Sequence, residues 1–336
     1  MGLYREETGL DVRFISAAGV ELHDVAELGA LLARPDGLVW VDVPVWSEQA
    51  EEVLTSTFGF HPLAIADSAN RNQVPKLHRY DDHLFLVLFA PQPGAGGHVH
   101  YVELDQFIGE RYLVTLHGPL NPAVDQAAAM IEVNTVLARL DSGKIQPVNA
   151  FELSHALLAA LIARMRSYTA DLTKEVWELE QKVTGGHLGD PESFLDEMFW
   201  TRHGLLTVST IATVTREVCG RMVTIEAFGP GHGQSLLEDA VDRFHRMSVV
   251  ADTQKAYLQG TIEFYQARTT TKMTVAAERL AMIAAVTAPI TAVSSVLGMN
   301  LIVNQDTQWG AIVIAVLLMV ALATALLLWA KRRGWF

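Results

Sequence analysis

The chain has 336 residues, half of them hydrophobic, with a formal net charge of −13. That length allows two or three structural units, and the acidity argues against nucleic acid as a partner. Cys219 is the only cysteine, so no disulfide forms within the chain. The opening MGLYREETGLDVRF has neither the apolar core of a secretory signal nor the Ser or Thr of a myristoylation motif.

Residues 1–146 read as a mixed α/β domain. VRFISAAGVELHD and GLVWVDVP alternate β-branched and aromatic residues between Gly, Pro and Asp breakers, which predicts strands. Ser47 is placed to cap an acidic-first helix, SEQAEEVLTSTF, that ends at Gly59. HLFLVLFA, YVELDQFIG and RYLVTLHG predict three more strands, with PGAGG and Gly109-Glu110 as turns.

Residues 147–233 switch to paired long helices. The first opens at VNAFELSHALL and ends at the Gly185-Gly186 breaker; Asp190-Pro191 then supplies an N-cap and a proline at the first position of the second. After a GPGHG turn, a third helix begins near Gln234 and meets no proline before Pro289 and no strong stop before Gly298. If continuous it spans roughly 95 Å at 1.5 Å per residue. Its part over 234–279 reads as a cytoplasmic stalk, a lever between a soluble domain and a membrane path.

Two uncharged runs follow, over 280–299 and 310–330, each near the ~20 residues that cross a hydrocarbon core. Alanines and Pro289 dilute the first, for which a buried soluble helix is the competing reading; the second is rich in Leu, Val and Ile. Arg268, Lys272 and Arg279 precede the first run, and Lys331, Arg332 and Arg333 follow the second. The loop over 300–309 carries Asp306 and no Lys or Arg. The positive-inside rule then puts both termini in the cytoplasm, the basic tail 331–336 included, and the loop outside.

Two spans cannot enclose a polar path, so transport requires a closed ring of copies. The first span is the better pore candidate. Thr274, Ala277, Ala281, Ala284, Ala288, Thr291, Ser295 and Gly298 recur at three- and four-residue spacing, all small or hydroxylic. Close packing of helices explains the same stripe equally well. It holds no acid that could strip a cation of water, and Mg²⁺ gives up its hydration shell reluctantly, so such a path suits a hydrated ion.

Energy need not come from nucleotide. SGKIQ is only a fragment of a phosphate loop, and a divalent cation entering a cell gains about 4.6 kcal/mol per 100 mV of inside-negative potential. Enzymatic signals are weak. His98 and His100 are spaced to share a strand face as metal ligands, but a solvated hairpin accounts for them better. GPGHGQ follows no strand and reads as an interhelical turn, Cys219 as packing, and the acidic EVWELEQ as a solvated helix face. No enzyme activity is expected.

The Gly298-Met299-Asn300 triplet after the first span resembles the pore entrance of the CorA family of divalent-cation transporters. The likeness extends to FGFHPLAIADSANRNQVPKLHRYDDHLFLVLFAP, to DPESFLDEMFWTRHGLLTVSTIATVTREV, to the stalk sequence EDAVDRFHRMSVVADTQKAYLQGTIEFYQARTTTKM, and to APITAVSSVLGMN. It implies an α+β fold: an N-terminal α/β cytoplasmic domain, a long stalk helix bundle and two C-terminal transmembrane helices, assembled as a funnel-shaped homopentamer in the plasma membrane. It also implies Mg²⁺ uptake driven by membrane potential, with Co²⁺ or Ni²⁺ as further ions, and no partner beyond the lipid bilayer and other copies of the chain.

Carried over by position, Gly298, Met299 and Asn300 form the selectivity filter. Thr291 matches the family's hydroxyl ring and Leu280 its hydrophobic constriction, on a pore face shared with Thr274, Ala277, Ala284, Ala288 and Ser295. Ala288 stands where the family often has Met, and Thr274 where it has Asn. The loop LIVNQDTQWG keeps one mouth acid, Asp306. Asp239 matches the stalk acid that helps bind regulatory intracellular Mg²⁺, but the turn PGAGGHVH lacks the partner acid, leaving Asp242, Glu103 or His98 as substitutes. A Zn²⁺ transporter of the related zinc branch and a non-transporting membrane-anchored sensor or scaffold remain the alternatives.

Overall fold

The computed structural model describes residues 9–119, 121–186, 190–225, 232–301 and 309–332. The chain divides into two units, Met1–Gly260 and Thr261–Phe336.

In the first unit β1 (Asp11–Ser16) and β2 (Gly19–His23) form a hairpin, and β3 (Gly37–Val43) pairs antiparallel with β1. Between them lies the short α1 (Leu28–Leu32). After α2 (Glu48–Glu52) and α3 (Pro62–Ala69), the strands β4 (Lys76–Arg79), β5 (Leu84–Pro93), β6 (Val99–Ile108) and β7 (Tyr112–Leu116) run as an antiparallel meander. β7 then pairs in parallel with β3, from Val39 opposite Tyr112 to Val43 opposite Leu116. The sheet order is β2-β1-β3-β7-β6-β5-β4.

Every strand expected from alternation is present, and Ser47 caps α2 by accepting from the Ala50 N–H at 3.2 Å. The helix α3 has a less familiar start: the His61 ring accepts from the Leu63 N–H at 3.2 Å, ahead of Pro62. The central strands are buried on both faces, as the runs from Val39 to Val41 and from Phe85 to Leu88 require. Phe107 lies at their centre, stacked on Phe60 at 4.2 Å and tilted against Phe85 at 4.7 Å.

After α4 (Gln126–Ala129) and α5 (Ile131–Asp141), the long helices begin. α6 (Ala150–Gly185) starts where Asn149 accepts from the Glu152 N–H at 2.9 Å and stops at Gly186, whose φ of 74° is left-handed. α7 (Pro191–Val223) starts where Asp190 accepts from the Ser193 N–H at 3.0 Å. Cys219 is buried in α7, and burial pushes its thiol up to about 12, so it is an inert packing residue. α8 (His232–Leu301) begins within this unit. There Leu237, Ala240, Phe244, Met247, Ala251 and Leu258 repeat at helical spacing and are all buried.

The second unit holds the remainder of α8, with Pro289 inside it, and α9 (Trp309–Arg332). Both are long and apolar enough to cross a membrane. The expected α+β class, with a sheet domain, long helices and two apolar C-terminal helices, is the observed one. α8 runs through Gly298 to Leu301, so the triplet lies in the last turns of the helix and the first two residues of the expected 300–309 loop are helical. Glycine costs about 1 kcal/mol in a helix interior and less near its end, where fewer hydrogen bonds depend on it.

Candidate pore helix and cation-binding residues

Two faces of α8 differ within the second unit. Met282 is buried, and Val286, Pro289, Ile290 and Val293 are partly sheltered. Thr274, Ala277, Leu280, Ala281, Ala284, Ala288, Thr291 and Ser295 are all exposed. Residues 270–281 are exposed on every side, but from Met282 on, at 100° per residue, the sheltered set and Ala284, Ala288, Thr291 and Ser295 lie about 175° apart, on opposite sides of the helix. The small and hydroxylic stripe is therefore not the face that its own chain covers. α9 shows a matching pattern, with Ala315 and Ala330 buried while Ile314, Leu317 and Leu318 are 57–65% exposed.

The hydroxyls on the stripe bond back along the helix, as Thr271, Thr287 and Thr324 do off it. Thr291 donates to the Thr287 carbonyl at 2.9 Å, and Thr274 to the Thr270 carbonyl at 3.0 Å. With the proton committed to the backbone, the oxygen's lone pairs remain as acceptors. Those are what the water hydrogens of a hydrated cation need.

A methyl group built on Gly298 meets nothing within 4 Å among the described residues. Met299 and Asn300 fall in the last turn of α8; their side chains lie outside the described residues, as do Asp306 and most of the GPGHG turn.

The candidate regulatory acids are in the first unit. Asp239 holds Arg243 at 2.6 Å and Asp242 lies 3.9 Å from Arg246, each one turn along the same helix. His98 is exposed at the hairpin, and His100 meets the Asn121 amide at 3.3 Å. Glu103 does not stand ready at the surface: it is 5% exposed and both its carboxylate oxygens accept from Asn72. Among the described residues no three His, Cys, Asp or Glu side chains are grouped to hold a metal. In EVWELEQ, Val176 and Leu179 are buried while Glu175, Trp177 and Glu178 are exposed.

Sequence patterning missed a buried polar network in the sheet. Asp42 accepts from the Thr115 hydroxyl and meets His117 Nε2 at 3.0 Å, and the Trp40 indole donates to Thr115 Oγ1 at 3.1 Å. Asp42 and Thr115 are cross-strand partners on β3 and β7, so only the parallel pairing, invisible to local sequence, brings them together.

A large sheet-bearing domain followed by two membrane-length apolar helices defines an integral membrane protein. The chain belongs to the CorA-like Mg²⁺ transporter family, whose model matches residues 35–332; it is thus a member of a family of divalent-cation transporters. It is 23% identical over 299 residues to YfjQ of Bacillus subtilis (strain 168), covering 88% of this chain and 89% of that one. It is 20% identical over 347 residues to the cobalt/magnesium transport protein CorA of Thermotoga maritima, covering 99% and 94%. Its fold is similar to the complete structure of the CorA magnesium transporter from Methanocaldococcus jannaschii, with a TM-score of 0.78 at 15% identity over 99% of this chain and 100% of that one.

Proposed function

We propose that the chain conducts hydrated Mg²⁺ into the cell down the membrane potential, through a pore built by a ring of five copies, with Co²⁺ or Ni²⁺ as further ions. The observation that carries this reading is the exposed stripe from Ala284 to Ser295, opposite the sheltered face of α8, with the Thr291 oxygen left as an acceptor. The stripe offers oxygen acceptors and no thiol or imidazole, which suits a hard, hydrated cation better than Zn²⁺.

In this reading the first span is 280–299 and the second 310–330, both termini are cytoplasmic, and the mouth faces outside in the plasma membrane. Gly298, Met299 and Asn300 select the ion, Thr291 and Ser295 relay it, and Leu280 narrows the inner end. Asp306 is the mouth acid. Asp239 and Asp242 sense intracellular Mg²⁺ weakly, because each carboxylate already faces an arginine of its own helix.

The test is Mg²⁺ flux into liposomes loaded with a cation-sensitive dye. Uptake that rises with inside-negative voltage and is abolished by Asn300→Ala is the expected result. Zn²⁺ flux coupled to a pH gradient would favour the zinc-branch reading, and no flux of any divalent ion would favour the scaffold.

A further inference from the structure

β6 carries two acids two residues apart, Glu103 and Asp105, whose side chains leave the same face of the strand. Asp105 is fully buried, and no backbone, amide or cationic donor binds its carboxyl oxygens. The Ser68 hydroxyl on α3, also fully buried, is a neutral donor beside it, and the Glu103 carboxylate is its neighbour on the strand. Glu103 is tied differently: Oε2 accepts the Asn72 N–H at 3.1 Å and Oε1 accepts from the Asn72 side-chain amide. Gly118, at a φ of 62°, closes against it, since a Cβ there would stand 3.0 Å from the Glu103 carboxyl carbon.

The charged and titratable groups around Asp105 come from several elements. Glu103 is on its own strand, Asp67 is on α3, and Lys76 on β4 holds Asp67 Oδ2 at 2.5 Å. Arg71 and His117 line the crevice beside Glu103. The cross-strand neighbours of Asp105, Val87 and Leu116, are apolar. An ionised Asp105 would thus be a charge removed from water with only the neutral Ser68 hydroxyl to solvate it and a second carboxylate alongside. A proton on Asp105 removes that charge and can be shared with the Glu103 carboxylate. Asp105 is where the proton belongs, because both Glu103 oxygens already receive Asn72.

We propose that Asp105 is a proton-binding site, neutral at physiological pH, whose deprotonation in alkali loosens the packing of α3 and the Asn72–Lys76 segment on the sheet. Burial pushes Asp105 well above the usual carboxylate range, with Glu103 acting in the same direction and Ser68 and Lys76 against it. Glu103 is raised as well, by burial first, while Asn72 restrains it. A carboxyl whose folded-state value lies above its unfolded value favours folding at low pH. That contribution is lost as pH rises from the ordinary carboxylate range through the folded value.

Two measurements on the full chain in detergent decide the matter. In infrared spectra, the carbonyl stretch of a protonated carboxylic acid should be present at pH 7, fade in alkali, persist in Glu103→Gln and vanish in Asp105→Asn. Its absence from the unsubstituted protein at pH 7 overturns the proposal, whether or not either variant folds. In thermal melts the unsubstituted protein should lose stability as pH rises. Asp105→Asn should be flatter and should melt about 3 °C or more higher at pH 9. Parallel melting curves across that pH range overturn the proposal too.

Discussion

The two units meet the problem of burial in opposite ways. In the first, several buried polar groups are paired across elements of the chain. The Ser154 hydroxyl donates to Gln106 Oε1 at 2.6 Å, and the Arg164 guanidinium reaches both Glu132 oxygens and the Gln92 amide oxygen, the last at 2.7 Å. In the second, α8 and α9 leave Leu280, Ile314 and Leu317 more than 60% exposed, and hydroxyl oxygens face outward with no acceptor role filled. Apolar surface of that extent belongs to an interaction with lipid or with other protein. The first unit builds a sheet-centred core of its own, whereas the second is mostly surface that the chain does not cover.

The most severe way to break that contrast is to truncate one large side chain in each unit. Phe107→Ala removes a ring that is 0% exposed and stacked on Phe60; it should cost about 3–5 kcal/mol. Leu317→Ala removes a side chain that is 64% exposed, and should change stability by less than about 0.5 kcal/mol. The readout is thermal melting of the detergent-solubilised protein followed by tryptophan fluorescence. Equal shifts for the two variants would mean that the helices of the second unit are as closed as the sheet.

A subtler intervention is Gly298→Ala. Its methyl group meets nothing within 4 Å among the described residues, and alanine is the better helix former by about 1 kcal/mol. Melting should therefore be unchanged or slightly raised. Mg²⁺ flux should fall about tenfold, a barrier increase of roughly 1.4 kcal/mol, because methyl groups from every copy would crowd one ring. Unchanged flux would remove Gly298 from the constriction and leave the contrast between units without a functional consequence.

The contrast also explains what could be read in advance. Helix boundaries set by local chemistry were legible: Ser47, Asp190-Pro191 and the Gly185-Gly186 stop all act within a turn of their position. So were the strands and the two apolar runs. The role of Glu103 was not, because it depends on Asn72, 31 residues away in the chain. The Asp42–Thr115 contact depends on a parallel pairing across 73 residues. Periodicity on the first span found the small-residue stripe but left lining and packing as equals. Only the position of Met282 and its sheltered neighbours separates that stripe from the face covered within the chain.

The smallest expected effect tests how far the pairing of polar groups in the first unit extends to its surface. Asp252 on α8 accepts from Lys255 at 2.7 Å and from the Ser209 hydroxyl on α7 at 2.9 Å. The Lys255 hydrogen bond is the larger cause of its carboxyl lying below the ordinary range, and Ser209 adds to it. A depressed value stabilises the fold above the unfolded carboxylate value, and that gain is lost as pH falls through the folded value, the reverse of Asp105. Because the group is mostly solvent-exposed, screening should hold the contribution to a few tenths of a kcal/mol. Asp252→Asn should therefore melt slightly below the unsubstituted protein at pH 7 in low salt and match it near pH 3, with the gap shrinking as salt is added. A gap that persists at pH 3 would show that the carboxylate charge is not what links α7 to α8, and that shape at Ser209 carries the contact instead.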